Sequence, residues 1–169
     1  MDSILVVCYS YTGTSRRAAQ LLCSQHGWPL GEVWDEAPRS TLRCILDSLL
    51  RRRPAIRYEG PDPDDFRTIL LVAPVWVARL AGPMRTFVHR YRNGLSRLAV
   101  VITEGSGGAS SAVAEIAQIV GRPPIRTVLM LQREIEDGSA TSELLAFGDA
   151  LQTGAAPRWR APEPVLMVH

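Results

Sequence analysis

The sequence predicts an α/β fold built on a parallel sheet covered by helices on both faces. Two patterns carry that prediction. Short apolar runs such as "ILVVCY" (4–9) are nearly unbroken, as strands buried on both faces are. Between them lie stretches with apolar residues at helical spacing, and regular alternation of strand and helix implies parallel strands joined by crossover helices. The length, 169 residues, suits a single domain over residues 1–169.

The elements follow in order. Ile4 to Tyr9 is the first strand, and a helix carrying Ala18, Leu21 and Leu22 on one face comes next. A second strand is expected within "WPLGEVW" (28–34). Leu42, Ile45, Leu46 and Leu49 recur at i, i+3, i+4 and i+7, the pattern of an amphipathic helix. "EGPDPDD" (59–65) is a polar turn region before a third strand, Ile69 to Ala73. "AGP" (81–83) starts a helix with Pro83 in its first turn and Met84, Phe87, Val88 and Tyr91 as its core stripe. Leu98 to Thr103 is the fourth strand, and Val113, Ile116, Ala117 and Val120 mark a helix. Thr127 to Leu131 is the fifth strand, and Leu144 to Leu151 lies in a closing helix. From about residue 155 the tail "APRWRAPEPVLMVH" carries three prolines and is expected to be extended. Its apolar "VLMV" predicts docking on the domain or on a partner, so a homo-oligomer stays open.

Composition removes several function classes. No run of 18 apolar residues is present, so no membrane span is expected. The N-terminus lacks the basic region of a secretory signal, and the chain reads as cytoplasmic. Cys8, Cys23 and Cys44 form no CxxC or metal-ligand spacing and read as reduced thiols. All 19 basic residues are arginine, yet the net charge is only +2. The run Arg51 to Arg53 follows a helix pattern and reads as a solvated helix end, not as a nucleic-acid contact.

Ligands of such sheets bind at the carboxyl ends of the strands, beside a topological switch point. Three loops fall there. "SYTGTS" (10–15) brings the hydroxyls of Ser10, Thr12, Thr14 and Ser15, with Gly13, to a helix N-terminus. Unpaired amides and partial positive charge at that end favour an anion, so the stretch reads as a phosphate cradle or, more plainly, as a hydroxyl-capped helix start. It has neither the lysine of a Walker loop nor a GxGxxG. A phosphatase CX5R motif from Cys8 would need arginine at position 14, where threonine stands. A response regulator would need a carboxylate where Ala73 and Pro74 lie. The second loop, "APVWVARLAGP" (73–83), offers Trp76 as a flat face or as a cap on the core. The third, "TEGSGGASS" (103–111), has glycines that let a flat ligand approach backbone amides, or that simply make a turn. A phosphate joined to a flat polar ring satisfies all three, and FMN fits that description.

At this point the chain resembles the flavodoxin-like family. "SYTGTS" is similar to the family's hydroxyl-rich phosphate loop, 70–91 to its strand, ring-binding loop and helix, and "VVITEGSGGASS" to its third flavin loop. The resemblance, over about residues 4–151, implies a flavodoxin-like three-layer sandwich with a five-stranded parallel sheet of order 2-1-3-4-5. It implies FMN as cofactor. Ser10, Thr12, Thr14 and Ser15 would hold its phosphate, with backbone groups of Tyr11 and Gly13. Pro74, Val75, Trp76 and Val77 would flank the ring, and Glu104, Gly105, Ser106 and Gly107 would meet its pyrimidine side. Electron-carrier flavodoxins are usually strongly acidic and often sandwich the ring between two aromatics. This chain is near neutral and has no aromatic residue in the third loop. Arg79 and Arg85 flank the second loop, and a cation facing the ring would favour a reduced, anionic flavin. Three readings stay open. The first is an FMN oxidoreductase passing electrons from NAD(P)H or a reductase to a quinone or protein acceptor. The second is an electron carrier without its own substrate, and the third a flavin-free binding protein. His89 and Glu104 are the titratable residues to watch, with a helix-surface place expected for the first and a backbone role for the second.

Overall fold

The computed structural model describes residues 3–38, 40–105 and 107–154; the tail from about 155 and Ser106 lie outside them. Strand β1 (Ile4–Tyr9) leads through the first loop into helix α1 (Thr14–His26), then β2 (Leu30–Asp35) and α2 (Thr41–Leu49). Next come β3 (Ile56–Glu59), a single 3-10 turn (Pro63–Asp65), β4 (Thr68–Trp76), β5 (Arg79–Leu80) and α3 (Gly82–Tyr91). The remainder is β6 (Leu98–Glu104), α4 (Ala109–Val120), β7 (Arg126–Leu131), α5 (Gln132–Glu136) and α6 (Thr141–Thr153).

The sheet order is β3-β2-β1-β4-β6-β7, with β5 paired to β4. The parallel strands β2, β1, β4, β6 and β7 stand in the expected 2-1-3-4-5 order. Two antiparallel strands enlarge the expected five-stranded sheet. β3 pairs with β2 at the edge, where Ile56 is buried and Tyr58 packs against Phe87 and Tyr91. β5 closes a hairpin on β4. The chain from Pro74 to Trp76, expected as loop, is therefore a continuation of β4.

The unbroken apolar runs have a simple cause. Successive side chains point to opposite faces, and both faces are buried. Leu5, Val7 and Tyr9 pack with α3 and α4, while Ile4, Val6 and Cys8 pack with α1 and α6. None of the three cysteines is in a disulfide; Cys8 and Cys44 are buried and Cys23 is partly buried. Burial pushes the Cys8 thiol far up and that of Cys23 up to about 11, so neither is a thiolate nucleophile at neutral pH.

One helix departs from the expected packing. α2 turns Leu42, Ile45, Leu46 and Leu49 outward and buries Cys44, Asp47 and Ser48. Its inward side meets a buried arginine hub. Arg85 is paired with Glu115, and donates to the carbonyls of Asp47 at 3.2 Å, Arg52 at 2.9 Å and Leu80 at 2.8 Å. That one side chain ties the end of α2, strand β5, α3 and α4 together. The hub also corrects the expectation that Arg85 could face a ring ligand, because the guanidinium is consumed inside the protein.

Candidate functional site

The chain reverses direction across the sheet between β1, which connects outward to β2, and β4, its neighbour on the other side. This is the switch point at which open α/β sheets bind ligands. The loops after β1 and β4 meet there. Pro74, Thr103 and Met130 share one rung, so the carboxyl ends of β4, β6 and β7 are level.

The first loop is built around Gly13, whose φ of 100° lies in the left-handed region. Gly13 donates its N–H to Ser10 Oγ at 3.0 Å, which folds the loop over the end of α1. The first bond into the helix is from the Arg17 N–H to the Gly13 carbonyl, 3.0 Å, so the amides between them point out of the helix end. No side chain caps α1, and no acid lies in its first turn. Of the four hydroxyls, those of Ser10 and Thr12 edge the opening. Ser15 is buried and shares a 2.7 Å hydrogen bond with Thr103. Thr14 donates to Glu136 Oε1 at 3.1 Å, and Gln132 Nε2 donates to the same oxygen at 2.8 Å.

A small cavity of about 90 Å³ is lined by Ser10, Tyr11, Thr12, Thr14, Ser15, Pro74, Val75, Trp76, Thr103, Gly105 and Gln132. It adjoins a depression of about 430 Å³ that shares Gly105 and Gln132 and adds Glu104, Leu131, Arg133 and Glu136. The second has the size of small-molecule sites, roughly 300–1,000 Å³, and the first is a narrow polar end to it.

The second loop is a hairpin. Val77 (φ 49°) and Ala78 (φ 57°) are both left-handed and form a two-residue turn between β4 and β5. Turns of this kind fit the strand twist and ordinarily carry Asn-Gly. Trp76, just before the turn, meets Tyr9 and Tyr11 edge-on at 5.6 and 5.7 Å between ring centroids. Tyr9 is fixed in turn by a 2.8 Å hydrogen bond from its hydroxyl to Asp35. Val77 is at the exposed tip and does not line the cavity. Arg79 follows in β5, half-buried.

The third loop carries Gly107 (φ 97°) and Gly108 (φ 102°) into α4. A side chain at Gly108 would collide with the Ala78 backbone, so the third loop packs directly on the hairpin turn. The Glu104 carboxylate accepts from the Ala109 N–H at 3.0 Å, at the α4 N-terminus. Gly107 does not line the cavity either. His89 stands away from these loops, on α3. Partial burial and the charges of Arg53 and Arg92 hold its pKa below the usual histidine value.

Sequence reasoning passed over Gln132 and Glu136, although the rule for carboxyl ends applies to β7 as much as to β1. It also passed over the Tyr11 ring, half-exposed beside Trp76.

Comparison with known proteins gives the same architecture. No protein-family model matches the chain, and no curated relative does. Solved structures do match. A flavoprotein from Lactobacillus acidophilus NCFM, determined in complex with FMN, superposes with a TM-score of 0.68 at 20% identity, over 82% of this chain and 99% of that one. A flavodoxin from Streptococcus pneumoniae TIGR4 gives 0.56 at 14% identity, over 90% and 99%. Two-electron reduced Megasphaera elsdenii flavodoxin gives 0.52 at 16%, over 88% and 98%. The fold is flavodoxin-like. Among the described residues, no helix of this flavodoxin-like chain is long and apolar enough to cross a membrane.

Proposed function

We propose that the chain binds FMN at this edge and works as a flavin oxidoreductase, taking electrons from NAD(P)H or a reductase and passing them to a quinone-like acceptor. The uncapped α1 N-terminus beside an aromatic pair carries the reading. It offers outward amides, the hydroxyls of Ser10 and Thr12 and no carboxylate in the first turn, which suits a phosphate dianion. The residues present fit the group: the hydroxyls and amides at the α1 end of the cavity suit the phosphate, and Tyr11 and Trp76 border the same cavity with flat apolar faces. Bound there, FMN would supply hydride acceptance and onward electron transfer, chemistry that belongs to the cofactor.

The chain's own residues would bind and orient. The outward amides of α1 and Thr12 hold the phosphate. Thr14 trades its bond to Glu136 for one to a phosphate oxygen. Ser15 acts through its backbone, since its hydroxyl is committed to Thr103. Trp76 and Tyr11 supply apolar faces, and the hairpin fixes where Trp76 stands. The third loop presents Gly105 and small neighbours without an aromatic cover, which leaves approach to a donor or acceptor open on that side.

The test is a titration of the purified protein with FMN, FAD and riboflavin, followed by anaerobic addition of NADH or NADPH and then of a quinone. Tight FMN binding, weaker riboflavin binding and quinone-dependent reoxidation are expected. Equal affinity for riboflavin and FMN would remove the phosphate site. FMN binding without nicotinamide turnover would leave an electron carrier.

A further inference from the structure

The outward face of α2 has no role in the flavin site and is built backwards for a core helix. Leu42, Ile45, Leu46, Leu49 and the capping Leu50 form one exposed stripe, with Leu42 66% and Leu50 57% exposed. A helix this apolar on one side ordinarily turns that side to the core. Here the core side is polar, and Asp47 and the Arg85 hub hold it inward. The stripe therefore cannot rotate into the protein without breaking buried hydrogen bonds.

The charge around the stripe differs between its two flanks, and the flank at the end of α2 is the basic one. Arg43 on the helix and Arg51, Arg52 and Arg53 after it are all exposed. Beside them, Arg51, Arg53, Arg92 and His89 line a cleft of about 490 Å³ between the end of α2, α3 and α4. Its one acid, Glu115, is already paired with Arg85. On the other flank the charges balance: Asp35, Glu36 and Asp47 line a second cleft with Arg43, Arg52 and Arg53, and Asp35 accepts from Tyr9. The only acid on α2, Asp47, is buried.

From this juxtaposition we infer that the α2 face docks on an anionic lipid surface, with the leucines in the headgroup–acyl boundary and the arginines on lipid phosphates. Aliphatic stripes bordered by arginine are what an interfacial helix needs. A protein interface of this size would ordinarily be anchored by Trp or Tyr, and the stripe has none. A second copy of α2 would cover the leucines with its own, but would also set Arg43 and Arg51 to Arg53 near the same four arginines. The inference goes beyond the flavin reading and does not depend on it. It also gives that reading a location, because α2 follows β2 in the chain and Arg85 ties it to Leu80 of the β4–β5 hairpin by donating to the carbonyls of both Asp47 and Leu80.

The experiment is co-sedimentation of the full chain with pure phosphatidylcholine vesicles and with phosphatidylglycerol–phosphatidylcholine vesicles, read by protein staining and not by flavin colour. Binding to the anionic vesicles alone, weakened by added salt, is expected. Leu46→Gln/Leu49→Gln should weaken it on the order of tenfold or more. Arg51→Gln/Arg53→Gln should weaken it and reduce its salt dependence. These side chains are exposed, so the far-UV spectrum and melting point should hold in all variants. No binding to anionic vesicles, equal binding to neutral ones, or binding untouched by the leucine changes would overturn the inference. A solution dimer that the leucine changes split, without vesicle binding, would also overturn it and assign the face to a second copy.

Discussion

Two loops of this sheet use the same backbone device for opposite ends. The loops after β1 and β6 each enter a helix through a left-handed glycine, Gly13 at φ 100° and Gly108 at φ 102°. Neither glycine can cap the amides it exposes. At α4 the chain supplies its own anion, the Glu104 carboxylate on the Ala109 N–H. At α1 no carboxylate among the described residues accepts from the end amides; the acid that reaches that end, Glu136, is held by the Thr14 hydroxyl instead. The difference shows how one fold can present two positive helix ends at one edge and fill only one of them with its own capping carboxylate.

The surroundings of the two glycines differ as well, and that gives the largest expected effect. Nothing lies near a side chain added at Gly13, whereas one at Gly108 meets the Ala78 backbone. Gly13→Ala should cost only the left-handed penalty, roughly 1–2 kcal/mol. Gly108→Ala should add overpacking of roughly 1–3 kcal/mol. Urea unfolding of both variants checks this, and equal losses would mean that the third loop does not bear on the hairpin. Next in size is Thr12→Ala. Loss of a hydrogen bond to a charged phosphate, about 1.5–3 kcal/mol, should weaken FMN roughly ten- to hundredfold and leave riboflavin unchanged. A fluorescence titration with both flavins decides it.

Glu104→Ala comes third. Removing a capping acceptor from α4 should lower stability by about 1 kcal/mol while FMN affinity stays within a factor of about two. Rescue of that loss by Glu104→Gln would show that the hydrogen bond matters more than the charge. The smallest effect concerns Glu136, whose carboxylate reaches the α1 end through Thr14. Glu136→Gln removes repulsion toward a phosphate, and FMN should bind a few-fold tighter, by about 0.3–1 kcal/mol. Raising the salt should shrink that gain, because the groups are partly exposed. An FMN affinity indifferent to Glu136 at low salt would place the phosphate away from Thr14.

Much of the architecture was legible because parallel strands buried on both faces leave unbroken apolar runs, and the first of these, Ile4–Tyr9, ends where the structure ends it. What was not legible depended on distant partners. The period of Leu42, Ile45, Leu46 and Leu49 announces a helix with an apolar side, but periodicity says nothing about what covers that side. Here the decision is made by Arg85 and Glu115, thirty residues apart and joined only in the folded chain. The β4–β5 hairpin was hidden because its turn is Val-Ala, without the glycine or asparagine that marks such turns. Helix α5 has five residues, too few for a period to show, and Gln132 and Glu136 went unnoticed with it. The three loops of the candidate site were placed by the rule for carboxyl ends of strands. The direction of the Tyr11 ring was not, since side chains in an irregular loop follow no repeat.

The Val77–Ala78 turn sets how the loop between β4 and α3 behaves. A β-branched residue at φ 49° is held in a conformation it does not favour by itself, at a cost of order 1–3 kcal/mol. The neighbours that over-determine it are the β5 pairing and the close approach of Ala78 to Gly108. The hairpin thus behaves as a cocked spring whose catch is a glycine on another loop: the resting position of Trp76 is set by contact across two loops, not by the preference of its own chain.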